Sequence, residues 1–312
     1  YDDAAVRLEK QLYSILLVIP LCSTKQGQEG PLWKNHLKIL TVAQPPFNFP
    51  ADGRHSANYG FVADFLGVMF KDENVTFEVS TLTSGGPEVG RSVDHAAGPG
   101  EYRELENELI AGRADVIAAP LTITWARMRI MRFSFPFMPA NIVVAVKKPK
   151  DPGQKMPFRH LKELASLMAQ NKLILGMMKG GATEEMLRES RYKMYSDIYR
   201  EIMAKHNEGQ PVLVENYHSG LHNVRNSSNF AFLGDEVSLA YLSTRPPCDV
   251  MIWGKPLNTA FYGLAFPLNV PRRFVDHVNQ RILRMQQFGK MRRLKDKWWD
   301  NECIGSIAAP RH

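Results

Sequence analysis

The chain has 312 residues, 44% hydrophobic, with ordinary glycine and proline content, which excludes a disordered or fibrous protein and suits one or two globular domains. The net charge is +7, but the basic residues are scattered apart from a C-terminal group between Arg281 and Lys297. No aromatic-basic module accompanies that group, so a solvated helix face explains it and no nucleic-acid partner is expected.

Residues 1–37 read as an N-terminal extension. Within them Leu12 to Cys22 is an apolar run, too short for a membrane span of about 20 residues and readable as a signal-peptide core or a packed linker. No other segment has the length to cross a bilayer, and the chain as given is expected to be soluble. Lys38 to Ala43 reads as a strand, followed by a Pro45-Pro46 turn into Phe47. Tyr59 to Lys71 has helical spacing and Val75 to Leu82 alternates as a strand. Thr83 to Gly100 is a Gly/Pro-rich loop, Glu101 to Ala111 a helix and Asp115 to Ile123 a strand. Thr124 then stands as the N-cap of a helix that carries Arg127 in its first turn. A first turn disfavours cations, because free N–H groups and the positive end of the macrodipole lie there. Asn141 to Val146 is a further strand, closed by the polar linker "KKPKDPGQ".

The pattern then repeats. A helix over His160 to Ala169 and a strand over Leu173 to Gly176 precede the glycine turn and helix of "KGGATEEMLRES". Helices follow at Asp197 to His206 and Tyr217 to Asn226, with Val212 to Glu215 extended between them. Asn229 to Gly234 is a strand ending at Asp235, before a short helix. "GKPLNTAFYGLAFP" bends back to the first half, and Pro271 to Trp299 is amphipathic helix. The alternation implies α/β layers with mostly parallel sheets, in two lobes joined by a polar crossover. Ligands of such folds sit at strand C-termini and between domains.

Two strand-to-helix junctions suit anions: Pro120-Leu-Thr122-Ile-Thr124 leading to Arg127, and Gly180-Gly181-Ala182-Thr183 leading into a helix. Asp235, at a strand end, suits an ammonium group. On spacing alone these residues serve equally well as helix caps, a turn and a solvated arginine, and Arg129 and Arg132 compete with Arg127. Enzyme constellations do not assemble: the nine histidines form no HExxH, His218 and His222 lack a third metal ligand, and GxSxG, P-loop and GxGxxG motifs are missing. No catalytic group, metal or cofactor is therefore expected. Cys22, Cys248 and Cys303 lack metal-type spacing and allow one disulfide, and the sequons Asn74-Val-Thr and Asn226-Ser-Ser fit secretion.

In order and spacing, "LKILTVAQPPF", "YGFVADFL", "GRADVIAAPLTITWAR", "FSFPFM", "VKKP", "GGAT", "RPPCD", "FYGLAFP" and "LKDKWWDNEC" resemble the ligand-binding domain of an ionotropic glutamate receptor over Lys38 to Gly305. The resemblance implies a bilobed clamshell of the periplasmic-binding-protein type II kind. Residues 38–142 with 258–303 would form lobe 1 and residues 143–257 lobe 2. It implies that Arg127 and the Thr122 N–H hold a ligand α-carboxylate, while the Pro120 carbonyl, Thr122 hydroxyl and Asp235 hold the α-ammonium. Ala182 and Thr183 would take carboxylate oxygens in lobe 2, and Cys248 would pair with Cys303, leaving Cys22 free. The partners implied are a free amino acid and other subunits of a tetrameric receptor, its ligand-binding domains pairing as dimers on the extracellular face of the membrane.

Ala182-Thr183 resembles kainate-type subunits, and Gln44 with Asp235 resembles NMDA-type ones. Glycine binders carry an apolar residue in place of Thr183 and a tryptophan before the acid. Thr183 and Gly234 leave room for a second carboxylate, so L-glutamate is expected first, then glycine or D-serine. A secreted solute-binding protein for amino-acid uptake is the alternative. The family's aromatic lid falls at Val89. The receptor pore would interrupt the chain near residues 149–154, where only a polar linker stands, as in an excised domain.

Overall fold

The computed structural model describes residues 33–51, 54–71, 73–82, 99–149, 156 and 158–303. The apolar run at Leu12, Cys22, the lid position Val89 and the linker junction at 150–154 lie outside the described residues.

Strands fall into two five-stranded sheets, each with its own core. The first sheet has the order β2-β1-β3-β12-β4. Its members are β1 (His36–Val42), β2 (Thr76–Leu82), β3 (Val116–Ile117), β4 (Arg132–Phe133) and β12 (Ala265–Phe266). The second has the order β10-β6-β9-β7-β8. It is built from β6 (Ile142–Lys147), β7 (Ile174–Met178), β8 (Leu213–Val214), β9 (Phe230–Asp235) and β10 (Val250–Asn258). Between them β5 (Met138–Pro139) pairs with β11 (Phe261–Tyr262), where the chain passes from one sheet to the other and back.

The first lobe carries helices α1 (Phe61–Met69), α2 (Pro99–Ile110) and α3 (Trp125–Met128). A short 3₁₀ turn, Leu161–Glu163, leads into α4 (Leu164–Ala169), and the second lobe continues with α5 (Ala182–Glu189), α6 (Lys193–Asn207), α7 (Tyr217–Asn226) and α8 (Glu236–Ser243). Helices α9 (Arg272–Gln287) and α10 (Lys290–Trp298) end the chain's described part and pack on α1. The bilobed α/β expectation holds.

The sheets are mixed rather than mostly parallel. β1 runs parallel to β2 and β3, and β7 parallel to β8 and β9, but β12 is antiparallel to β3 and β4, and β6 to β9 and β10. The antiparallel strands are those that carry the chain between lobes, so they enter each sheet from the opposite end. Residues 33–37, assigned above to an extension, belong to the first lobe. Trp33 packs on Phe274 with ring centroids 5.2 Å apart, Lys34 pairs with Asp115, and β1 begins at His36.

The second sheet is covered on both faces, which accounts for β6 reading "IVVAVK" with five successive buried residues. The first lobe encloses an aromatic cluster in which Phe47 contacts Phe61, Tyr262 and Trp299 edge-on. Trp299 also donates its indole N–H to the Val237 carbonyl of the second lobe. Four residues later the disulfide Cys248–Cys303 closes, tying the tail to the segment between α8 and β10.

Candidate functional site

The first lobe contributes one wall at the exit of β3. Leu121 donates its N–H to the Ala119 carbonyl at 2.7 Å, and this tight turn ends the strand well before Ile123. Thr124, extended at φ −122°, caps α3 by accepting the Arg127 N–H on Oγ1 at 3.3 Å. The Arg127 side chain folds back toward the cleft. Its Nη1 donates to the Thr122 carbonyl at 2.8 Å and its Nε pairs with Glu106 Oε1 of α2 at 2.8 Å. The three arginines of this stretch are thereby separated: Arg129 stacks on Trp125, and Arg132 donates to the Val270 carbonyl. Arg127 tolerates its helix because α3 is a single turn and a carboxylate and a carbonyl compensate the charge.

The second lobe contributes the start of α5 and the end of β9. Gly180 has φ +71°, a left-handed conformation that glycine adopts without a Cβ clash. Its N–H donates to the Glu184 carboxylate one turn on, which fixes the loop. The first intrahelical donor here is Glu185, bonding the Gly181 carbonyl, so the N–H groups of Ala182 and Thr183 precede the helix ladder. Asp235 ends β9 and starts α8 without capping it through its side chain. Instead its Oδ2 accepts the Tyr262 hydroxyl at 2.7 Å, while its own N–H donates to the Tyr217 oxygen at 3.1 Å.

Burial pushes the Asp235 carboxyl above the usual aspartate value, against the pull of the Tyr262 and Tyr217 hydroxyls and the Arg127 charge. Burial, and then the neighbouring Asp235 charge, hold both tyrosine hydroxyls well above their ordinary range, so they remain protonated donors. The Tyr262 and Tyr217 hydroxyls and the Arg127 charge favour the charged carboxylate and partly offset its burial.

A cavity of about 280 Å³ lies between these walls, at the small end of the range for ligand sites. Pro120, Thr122, Arg127, Ala182, Thr183 and Asp235 all line it. So do residues that spacing did not single out, notably Tyr102, Arg103, Glu106, Glu185, Arg188 and Tyr217. Three arginines and three acids therefore face one small volume, a neutral and highly polar lining fit for a zwitterion. Among the described residues no group of three or more His, Cys, Asp or Glu could hold a metal ion, and no helix is long and apolar enough to cross a membrane.

Residues 35–150 match the family described as the ligated ion channel L-glutamate- and glycine-binding site. Residues 93–301 match the bacterial extracellular solute-binding proteins, family 3. The chain belongs to this solute-binding family, as an ionotropic glutamate receptor ligand-binding domain. It is 29% identical to Glutamate receptor 2 of Caenorhabditis elegans over 157 residues, covering 46% of this chain and 16% of that protein. Identity is 30% over 141 residues to human Glutamate receptor 3, 44% of this chain and 15% of the receptor. It is 29% over 144 residues to a probable glutamate receptor of the frog Lithobates berlandieri, 46% of this chain and 28% of that protein. The matched part of the chain thus spans less than a third of these curated relatives. Both families are binding-protein families rather than enzyme classes.

Gly234 lines the cavity beside Tyr217: a Cβ built there would lie 2.5 Å from Tyr217 Cε1, so the tyrosine ring of α7 takes the space that a side chain at 234 would need. Tyr217 is 5% exposed and stacks edge-on against Phe232 beneath it. The sequence places Tyr217 and Gly234 on separate elements, and only their packing reveals that one fills the gap of the other. Glu106 and Tyr262 escaped notice for the same reason. Glu106 reads as one of several acids on an amphipathic helix, and Tyr262 as a core residue of "FYGLAFP".

Proposed function

We propose that this domain binds a small α-amino acid, L-glutamate first, through Arg127 and Asp235 in the first and second lobes and the N-terminus of α5. The observation that carries the reading is the pairing, in one cavity of about 280 Å³, of a half-buried guanidinium with a tyrosine-held carboxylate. Arg127 takes the α-carboxylate with the Thr122 N–H, and Pro120, Thr122 and Asp235 take the α-ammonium. The Ala182 and Thr183 N–H groups and the Thr183 hydroxyl take the second carboxylate. Charge-assisted hydrogen bonds of this kind contribute roughly 1.5–3 kcal/mol each. A second reading, glycine or D-serine, is favoured by the Tyr217 ring, which narrows the cavity beside Gly234.

In the longer receptor this domain lies on the extracellular face of the membrane and pairs with its like in a tetramer. Residues 38–142 with 258–303 close on residues 143–257, and the channel pore enters the chain near residues 149–154. Only contacts made in the closed state bias the open–closed equilibrium, so the lobe 2 groups at Ala182, Thr183 and Asp235 do the gating work. No bond is made or broken in the ligand. The match of residues 35–150 to the glutamate- and glycine-binding channel family, and the similarity to glutamate receptors over nearly half of the chain, support this reading.

Titration calorimetry of the purified domain with L-glutamate, glycine and D-serine tests it. Arg127→Ala should abolish binding of all three, whereas Thr183→Val should weaken glutamate alone. Wild-type affinity in Arg127→Ala refutes the site.

A further inference from the structure

The anchor arginine is already engaged by a carboxylate of the domain itself. Glu106 Oε1 sits 2.8 Å from Arg127 Nε, on the edge of the guanidinium that a carboxylate grips side-on. A second N–H, on Nη1, is taken by the Thr122 carbonyl. Both side chains are largely shielded from solvent, 14% exposed for the arginine and 17% for the acid, and both line the cavity. A ligand carboxylate must therefore displace Glu106 or bind the remaining end of a guanidinium whose charge is neutralised. In either case it meets like charge in a poorly screened site.

We infer that Glu106 is a tethered competitor for Arg127, a built-in brake that lowers the affinity of the site for amino-acid carboxylates. The inference rests on the amino-acid reading of the cavity. The displaced acid has somewhere to go, because Arg103 lies three residues earlier on the same helix and lines the same cavity. Binding then exchanges one ion pair for another rather than stranding a carboxylate. Ligand affinity in this domain is set as much by the cost of freeing Arg127 as by the contacts that replace Glu106.

Calorimetry on wild type, Glu106→Gln, Glu106→Ala and Arg127→Ala, each titrated with L-glutamate and with glycine, decides the matter. Glutamine keeps the size and an acceptor for Nε while removing the charge, so affinity should rise at least about tenfold for both ligands. Alanine should act in the same direction and serves if the glutamine variant does not fold, with thermal melts as the check. Unchanged or weaker binding in folded Glu106 variants, with Arg127→Ala inactive, overturns the brake and leaves the site standing. Wild-type binding in Arg127→Ala, or no heat in wild type and both Glu106 variants, overturns the amino-acid reading and this inference with it. Binding that emerges only when Glu106 is neutralised supports the brake.

Discussion

Replacing Tyr262 by phenylalanine removes a single oxygen from the wall of the cavity. That oxygen belongs to a side chain with no solvent exposure, and it donates to Asp235 at 2.7 Å. A hydrogen bond to a charged group is worth about 1.5–3 kcal/mol. The ring keeps its place against Phe47 and Phe137, so packing is unchanged and the loss is electrostatic. About 2 kcal/mol corresponds to a fall in Tm of roughly 4–8 °C for a domain of this size. The dependence on pH follows from the raised Asp235 pKa. The hydroxyl pulls that pKa down, so the variant's folded value is higher still, and the stability it confers is lost as pH rises through it. The gap between wild type and variant should thus be smallest below the ordinary aspartate range and widen toward neutrality. Melts in a series of buffers by circular dichroism read this directly. A gap that stays constant or narrows with rising pH would show that the hydroxyl does not act through the Asp235 charge.

Asp235→Asn should do the reverse for folding and weaken ligand binding. It removes a buried charge, so melts at neutral pH should rise, with the gain fading in acid, while calorimetry should show amino-acid affinity falling at least about a hundredfold. Gly234→Ala drives a methyl into the Tyr217 ring and should cost ~1–3 kcal/mol in urea unfolding. An unchanged midpoint would mean that the ring does not fill that gap. Cys248→Ser opens a loop spanning 55 positions, for which chain entropy predicts a loss of about 4 kcal/mol. Reductant should lower the wild-type Tm to the same degree and leave the variant untouched.

Much of the fold was legible because its signals are local. Helix α7 was readable end to end, as Tyr217 to Asn226. Thr124 capped its helix as read, and Gly180 supplied the left-handed turn. Strand β3 was overread. "DVIAAPLTI" is β-prone throughout, but strand β3 covers only Val116 and Ile117, because the chain turns at Ala119; Thr122 then forms an isolated bridge with Tyr262. Strand β10 was underread, since Gly254 and Pro256 interrupt its pattern and only pairing with β6 holds it extended.

The sequence by itself determined the elements, the two-lobe order and the family, since capping, periodicity and motif spacing are properties of neighbours along the chain. Spacing left three arginines open and the family resemblance chose Arg127; tertiary structure alone decided that Glu106 already holds it and that Tyr217 fills the space beside Gly234. Those are contacts between α2 and α3, α7 and β9, and β9 and β11, elements up to 27 residues apart in this site. Periodicity sets which face of an element is apolar, but ion pairs and ring contacts depend on where that face meets another.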